Sequence, residues 1–563
     1  MPRRLLILIA SAAGAAAVAA QESRPGGRTE PVPAGGPAAE PPRLLALVVV
    51  DQLSRETYDA ARPWFGPDGF LRLEREGTRS TRCAYEHACT ETAPGHAVLG
   101  TGAPPSVHGI PANDWPDPAT GALVDCVLDP TLAAVGPPPE ARIPGATWSR
   151  LRAPTFGDAL KAARPEARVL GFALKARSAL LTVGPSADLA AWCDYGAGWW
   201  TTSPAARAAP PPFLAAFNAA DPVERGAARR WDRGGPDAAF ADLGPDAAPW
   251  ERGPDGRNAF PHSGAAPAGA SRAERALAAV TTPFGNELVL EATAEALRVY
   301  RAGADDVPDM LFVGFSAVDL VGHLYGPHSH EARAMLLATD AQVARLLRML
   351  DDAAGRGRYL VALTSDHGVG PVPEEAVRRG VKAGRVDVRR LRAAAESALA
   401  ARYGDPAPER WTLAQEGGFL VLNGARLEAR KIDRAAAQDA AAAAVARTAG
   451  VRAAYAVARL LRDPAPDEVA ARVRRTLPVA TAPDVYVVPE PFHLFSRNPA
   501  SHGTPWAYDR EVPLLLAGPG VRAGVVIDAP TSPACLAATF AAFAGVACPS
   551  GAGPAAPLDG SSR

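Results

Sequence analysis

Leu44-Leu45-Ala46-Leu47-Val48-Val49-Val50-Asp51 is the stretch whose reading decides the fold. An unbroken apolar run ending in three valines is the pattern of a strand buried on both faces, and here it stops on a carboxylate. Similar runs recur at Val169 to Leu174, Met310 to Phe315, Tyr359 to Thr364, Val485 to Val488 and Val512 to Ala517. Helical stretches separate several of them, notably Asn286 to Arg301 and Glu331 to Asp351, where apolar residues fall three and four apart. The alternation predicts an α/β fold with a mostly parallel central sheet flanked by helices. Two intervals interrupt it. Residues from Trp192 to about Pro283 are rich in Pro, Gly and Trp, and those from about Pro371 to Pro483 carry Ala-rich helices of their own. Both read as insertions covering the active edge of one large domain over residues 43–550.

The chain has 563 residues without internal repeats, is 48% hydrophobic and carries a net charge of −1. Such balance gives no basic field for nucleic acid, and no acidic tail. Arg3 and Arg4, the apolar run from Leu5 to Ala10 and the small residues Val18-Ala19-Ala20 predict a signal peptide over residues 1–20, cleaved after Ala20, and hence a periplasmic or secreted protein with no membrane span after cleavage. Gln21 to Pro42 reads as a flexible linker, and Gly551 to Arg563 as a disordered tail. Six cysteines, Cys83, Cys89, Cys126, Cys193, Cys535 and Cys548, suit an oxidising compartment, where an even count predicts structural disulfides of unassigned pairing.

Three apolar strands lead into acids: Asp51 after the first, Asp319 shortly after Phe315, and Asp366 after Thr364-Ser365. Ligands of open α/β sheets bind beyond the carboxyl ends of the strands, so these carboxylates are expected in one crevice. Each of them alone would equally suit a helix cap or a turn. Two bring a histidine, in Asp319-Leu320-Val321-Gly322-His323 and Asp366-His367-Gly368, and His502 stands in the turn-rich Ser501-His502-Gly503-Thr504-Pro505. Residues four apart on a helix share a face, so Asp319 and His323 can reach one cation. Mixed carboxylate and imidazole donors favour zinc over magnesium or calcium, with manganese or iron left open. Thr92, in Glu91-Thr92-Ala93-Pro94-Gly95-His96, falls at or near a helix N-terminus, where the dipole and free N–H groups favour an anion. A capping role would explain it as well.

Taken in order, Val48-Val49-Val50-Asp51-Gln52, Thr92-Ala93-Pro94-Gly95-His96, His108 to Trp115, Leu174-Lys175-Ala176-Arg177, Asp319 to His323, Ser365 to Gly368 and His502 to Pro505 resemble the threonine-nucleophile alkaline phosphatases of the phosphate-irrepressible bacterial type. Their superfamily also holds nucleotide pyrophosphatases/phosphodiesterases and sulfatases. The resemblance implies two zinc ions, one on Asp319, His323 and His502, the other on Asp51, Asp366 and His367, with the nucleophile Thr92 also bound to the second. It also implies small phosphate monoesters as substrates. Asn113 would donate to a phosphoryl oxygen, and Lys175 and Arg177, pointing the same way from an extended segment, would meet a dianionic phosphate. His96 and His108 read as structural hydrogen-bonding groups. The rival readings are a phosphodiesterase using the same metals and threonine, and an inactive zinc-binding envelope protein.

Overall fold

The computed structural model describes residues 41–555. The expected signal peptide, nearly all of the expected linker and residues 556–563 lie outside that range. The central feature is a nine-stranded sheet. In chain order its strands are β1 (Leu44–Val50), β2 (Gly77–Ala84), β3 (Val169–Ala173), β4 (Leu189–Asp194), β5 (Trp199–Thr202), β6 (Asp309–Phe315), β7 (Tyr359–Thr364), β8 (Glu511–Ala517) and β9 (Val525–Ile527). They lie in the order β9-β2-β8-β7-β1-β6-β3-β4-β5. Only β5 and β8 run against the others, so the sheet is mixed with a parallel centre.

The decisive run, β1, occupies the middle and is buried throughout. Its side chains alternate between two cores. Leu44, Ala46, Val48 and Val50 face the core that holds Leu288, Leu346 and Leu350, while Leu45, Leu47 and Val49 face the one that holds Ala97, Leu180 and Phe540. Truncating any of these leucines to alanine is expected to cost about 2–5 kcal/mol. Parallel register aligns β1 with β6 from Leu44↔Asp309 to Val50↔Phe315, and with β7 from Leu44↔Tyr359 to Val49↔Thr364. Three neighbouring strands therefore end at the same level, which sets where the acids that follow them emerge.

Several expectations change in detail. Val485 to Val488 does not join the central sheet: it lies within Val485–Pro489 of a separate four-stranded sheet with Thr412–Glu416, Phe419–Leu422 and Val451–Ala456. Strand β2 escapes an apolar-run search because it reads Gly-Thr-Arg-Ser-Thr-Arg-Cys-Ala. Trp192 and Trp200 belong to β4 and β5 and are buried core residues, whereas Trp199 stacks under Arg272, whose guanidinium carbon is 3.8 Å from the ring centroid. The disulfide expectation fails: all six cysteines are free thiols, five of them buried. Cys83, Cys89, Cys126, Cys193 and Cys535 pack as small apolar groups in the two cores, which removes the need for a covalent staple.

Candidate active site

Every sequence-predicted ligand lies at the carboxyl edge of the central strands or on a loop packed against it. Asp51 directly follows β1, and Asp366 and His367 follow β7. Helix Ala317–Tyr325 begins just after β6 and presents Asp319 and His323 one turn apart. His502 comes from the loop before β8. Thr92 is the first residue of helix Thr92–Thr101, whose cap position belongs to Glu91 and whose cap makes no side-chain hydrogen bond. The hydroxyl of Thr92 is thus not spent on capping.

The donor atoms of Asp319, His323 and His502 all lie within 4.8 Å of one another, and so do those of Asp51, Asp319 and His367. Asp319 Oδ1 is 3.3 Å from His323 Nε2 and 3.5 Å from His502 Nε2, while those two nitrogens are 3.3 Å apart. His367 Nε2 is 3.5 Å from Asp51 Oδ1 and 3.4 Å from Asp366 Oδ2, and its ring stacks on His502 at 3.6 Å. Thr92 Oγ1 stands 3.5 Å from His367 Nε2 and 3.2 Å from Lys175 Nζ.

The arrangement suits divalent cations for two reasons. Each histidine turns Nδ1 to a backbone carbonyl: His323 to Ala500 at 2.9 Å, His502 to Thr90 at 2.8 Å and His367 to Gly368 at 3.0 Å. A carbonyl oxygen can only accept, so Nδ1 carries the proton and Nε2 keeps a lone pair for the site. Burial, outweighing the opposing charge of Asp366, holds the His367 imidazole down at about 3, which keeps it neutral. Three buried carboxylates, moreover, face a single buried ammonium. Burial and the charge of Asp366 push the Asp51 carboxyl well up, and neither of its buried oxygens accepts a hydrogen bond of acceptable geometry. Asp366 Oδ2 is likewise left without one. Asp319 is held well below the usual carboxylate range, because Lys175 and His323 outweigh the effect of its burial.

Lys175 and Arg177 part company. Lys175 is the N-cap residue of helix Ala176–Val183, so Arg177 lies within that helix and the segment is not extended. Lys175 Nζ is 2.7 Å from Asp51 Oδ2 and 2.6 Å from Asp319 Oδ2, deep among the carboxylates. Although burial pulls its pKa down, Asp319 and Asp51 raise it above the ordinary lysine value. Arg177 Nε is buried without a hydrogen-bond partner. The Asn113 Oδ1 accepts from the Ala93 N–H at 2.8 Å, and its own backbone N–H donates to Glu91 Oε2 at 2.6 Å, which leaves the side-chain NH2 end of Asn113 for a ligand.

Two further residues stand beside the site, His96, expected as a structural hydrogen-bonding group, and Gln52, which had no role from sequence. His96 Nδ1 approaches the Thr92 carbonyl at 2.9 Å and Asp366 Oδ2 at 3.2 Å, so the histidine of the Thr92 motif, read as structural, supports a carboxylate of the site. Gln52 touches both Asp319 and Asp366. Its place beside Asp51 in the strand-end motif was the only signal for it.

With this geometry in place, the chain can be assigned to a class: it belongs to the type I phosphodiesterase/nucleotide pyrophosphatase family of hydrolases, whose model matches residues 45–500. Among named relatives, it is 30% identical over 332 residues to alkaline phosphatase PafA of Elizabethkingia meningoseptica, an alignment spanning 58% of this chain and 60% of that protein. It is also 28% identical to alkaline phosphatase PhoD of Zymomonas mobilis, over 85% of this chain and 81% of the relative. A crystal structure of alkaline phosphatase PafA superposes with a TM-score of 0.83 at 25% identity, covering 92% of this chain and 99% of that one. The fold is therefore alkaline phosphatase-like, as the order of motifs implied.

Proposed function

We propose that this chain is an exported phosphate monoester hydrolase, an alkaline phosphatase that works through a phosphothreonine intermediate on Thr92. The observation that carries the reading is the position of the Thr92 hydroxyl: uncommitted to its helix, 3.2 Å from the Lys175 ammonium and 3.5 Å from His367, at the junction of two donor groups that share Asp319. The relatives' names, alkaline phosphatase, support the phosphatase class of this reading.

Asp319, His323 and His502 would hold one zinc, and Asp51, Asp366 and His367 the other. Bound there, two zinc ions would supply Lewis-acid charge for the entering and leaving oxygens of an in-line displacement. The buried Lys175 ammonium favours the ionised form of the Thr92 hydroxyl beside it, and the N-terminus of the Thr92–Thr101 helix adds its positive end. As the Thr92 Oγ–phosphorus bond forms, the bond from phosphorus to the ester oxygen breaks and the alcohol departs with a proton. Water then cleaves the phosphothreonine, releasing inorganic phosphate and restoring the hydroxyl. Arg177 and the amide of Asn113 would bind the non-bridging oxygens, which only a monoester offers in full.

The test compares rates on an aryl phosphate monoester and its methyl diester, with metal measured on the same exported sample. Monoester preference, about two zinc ions per chain, activity lost to chelator and a mature N-terminus at Gln21 are expected. A dominant diesterase rate would favour the phosphodiesterase reading, and an active, metal-free preparation would refute the site.

A further inference from the structure

Gln52 follows Asp51 in the turn from Val50 to Leu53, closed by the Leu53 N–H donating to the Val50 carbonyl at 3.2 Å. It occupies the third position of that turn with φ +69°, a left-handed conformation that ordinarily selects glycine or asparagine. A buried glutamine held there is locally unfavourable, and the cost has to be offset by what the residue contacts.

Those contacts reach both halves of the site. The Gln52 side-chain Nε2 donates to Asp319 Oδ1 at 2.8 Å, and its backbone N–H donates to Asp366 Oδ1 at 3.1 Å. Asp319 Oδ1 is the oxygen nearest His323 and His502, so the amide fixes the carboxylate while a second lone pair stays free to face the imidazoles. On the other side, the Gln52 N–H takes Asp366 Oδ1, while Oδ2, the oxygen near His367, is approached by His96 Nδ1 at 3.2 Å. Gly322, between Asp319 and His323 in sequence, makes room: a Cβ there would overlap Gln52 Oε1. The left-handed turn thus lets one residue present two donors to two carboxylates, one in the helix after β6 and one in the loop after β7.

We infer that Gln52 is a positioning residue that sets the metal affinity of the Asp319–His323–His502 group through its side chain, and that Gly322 is required to seat it. The inference rests on the two-metal reading above. Hydrogen bonds behind metal-binding carboxylates typically govern affinity 10–100-fold.

Gln52→Gly separates this role from a structural one, because it keeps the backbone N–H to Asp366, suits a positive φ and deletes only the amide on Asp319. Full-length wild-type and variant protein would be titrated with zinc against a chelator of known affinity, and the metal-free forms compared by thermal unfolding. The expected result is a roughly 10–100-fold weaker affinity at one of the two sites, with the other unchanged, metal-free stability at or above wild type, and turnover restored by excess zinc. Gly322→Ala, which touches no ligand but displaces Gln52, should weaken the same site. Two sites of wild-type affinity in Gln52→Gly would overturn the inference and leave the two-metal reading intact. Equal losses at both sites with a destabilised metal-free form would also overturn it, by assigning Gln52 to the fold. Wild-type protein that binds no transition metal would overturn both.

Discussion

Lys175 and Arg177, two residues apart in the sequence motif, should fail in different ways when removed. Arg177 has a buried, unpartnered Nε, so Arg177→Ala takes nothing from the protein's own hydrogen bonds at that atom. Its loss should appear against a phosphoryl group. A charge-assisted hydrogen bond in such a site contributes about 1.5–3 kcal/mol, and a guanidinium gripping two oxygens, at about 1.5–2 kcal/mol each, about 3–4 kcal/mol. At about 1.36 kcal/mol per tenfold, monoester kcat/KM should drop about 10²–10³-fold with zinc content unchanged, and diester turnover far less. Lys175 instead lies 2.6–2.7 Å from Asp319 and Asp51. Lys175→Met would strip the ammonium from two buried carboxylates, a change of about 3–5 kcal/mol when a buried pair is broken. That loss should be largest in chelator-treated protein, because bound cations would take over much of the neutralisation, and it should lower rates on both ester classes. The assay pairs kcat/KM on an aryl monoester and its methyl diester with urea unfolding in the presence and absence of chelator. The reasoning is refuted if Arg177→Ala depresses both substrates equally while retaining zinc, or if Lys175→Met affects only monoesters and leaves metal-free stability intact.

Thr92→Ala should retain fold and most metal while turnover falls by several orders of magnitude, and no phosphorylated protein should be trapped by acid quench. A near-wild-type rate would remove Thr92 from the chemistry. Stability should also fall on the alkaline side. Burial pulls the pKa of His262 down, but Asp255 at 3.2 Å and Glu331 at 2.9 Å raise it to about 9. A folded pKa above the unfolded value of about 6.5 gives stability that is fully present below that value and lost as pH rises through about 9. Burial and Glu331 push Glu251 up to about 9, which adds in the same direction. The unfolding midpoint should therefore decline from neutral pH to above 9, and His262→Asn should flatten the slope. An identical slope in the variant would show that this network does not govern it.

Much of this protein was legible in its sequence because the informative residues obey local rules. A strand buried on both faces must be continuously apolar, so β1, β6 and β7 announced themselves, and the acids at their ends pointed to one crevice before any contact was known. The order of motifs carried the family, because each motif packs its chemistry into a few consecutive residues. What escaped depends on contacts between distant segments. Strand β2 is polar along its length and is recognisable only by its pairing with β8 and β9. The valines at 485–488 look like those of a central strand, and only tertiary pairing sends them to another sheet. Six cysteines in an even count suggested bridges, yet all six are free thiols, five of them packed in two apolar cores. The different surroundings of Lys175 and Arg177 likewise follow from a helix that begins between them and from carboxylates brought in from β1 and the helix after β6. Gln52 is the clearest case. Its identity and its place next to Asp51 are local, but its two acceptors lie 267 and 314 residues away along the chain, and only the parallel register of three strands brings them within reach of one side chain and one N–H.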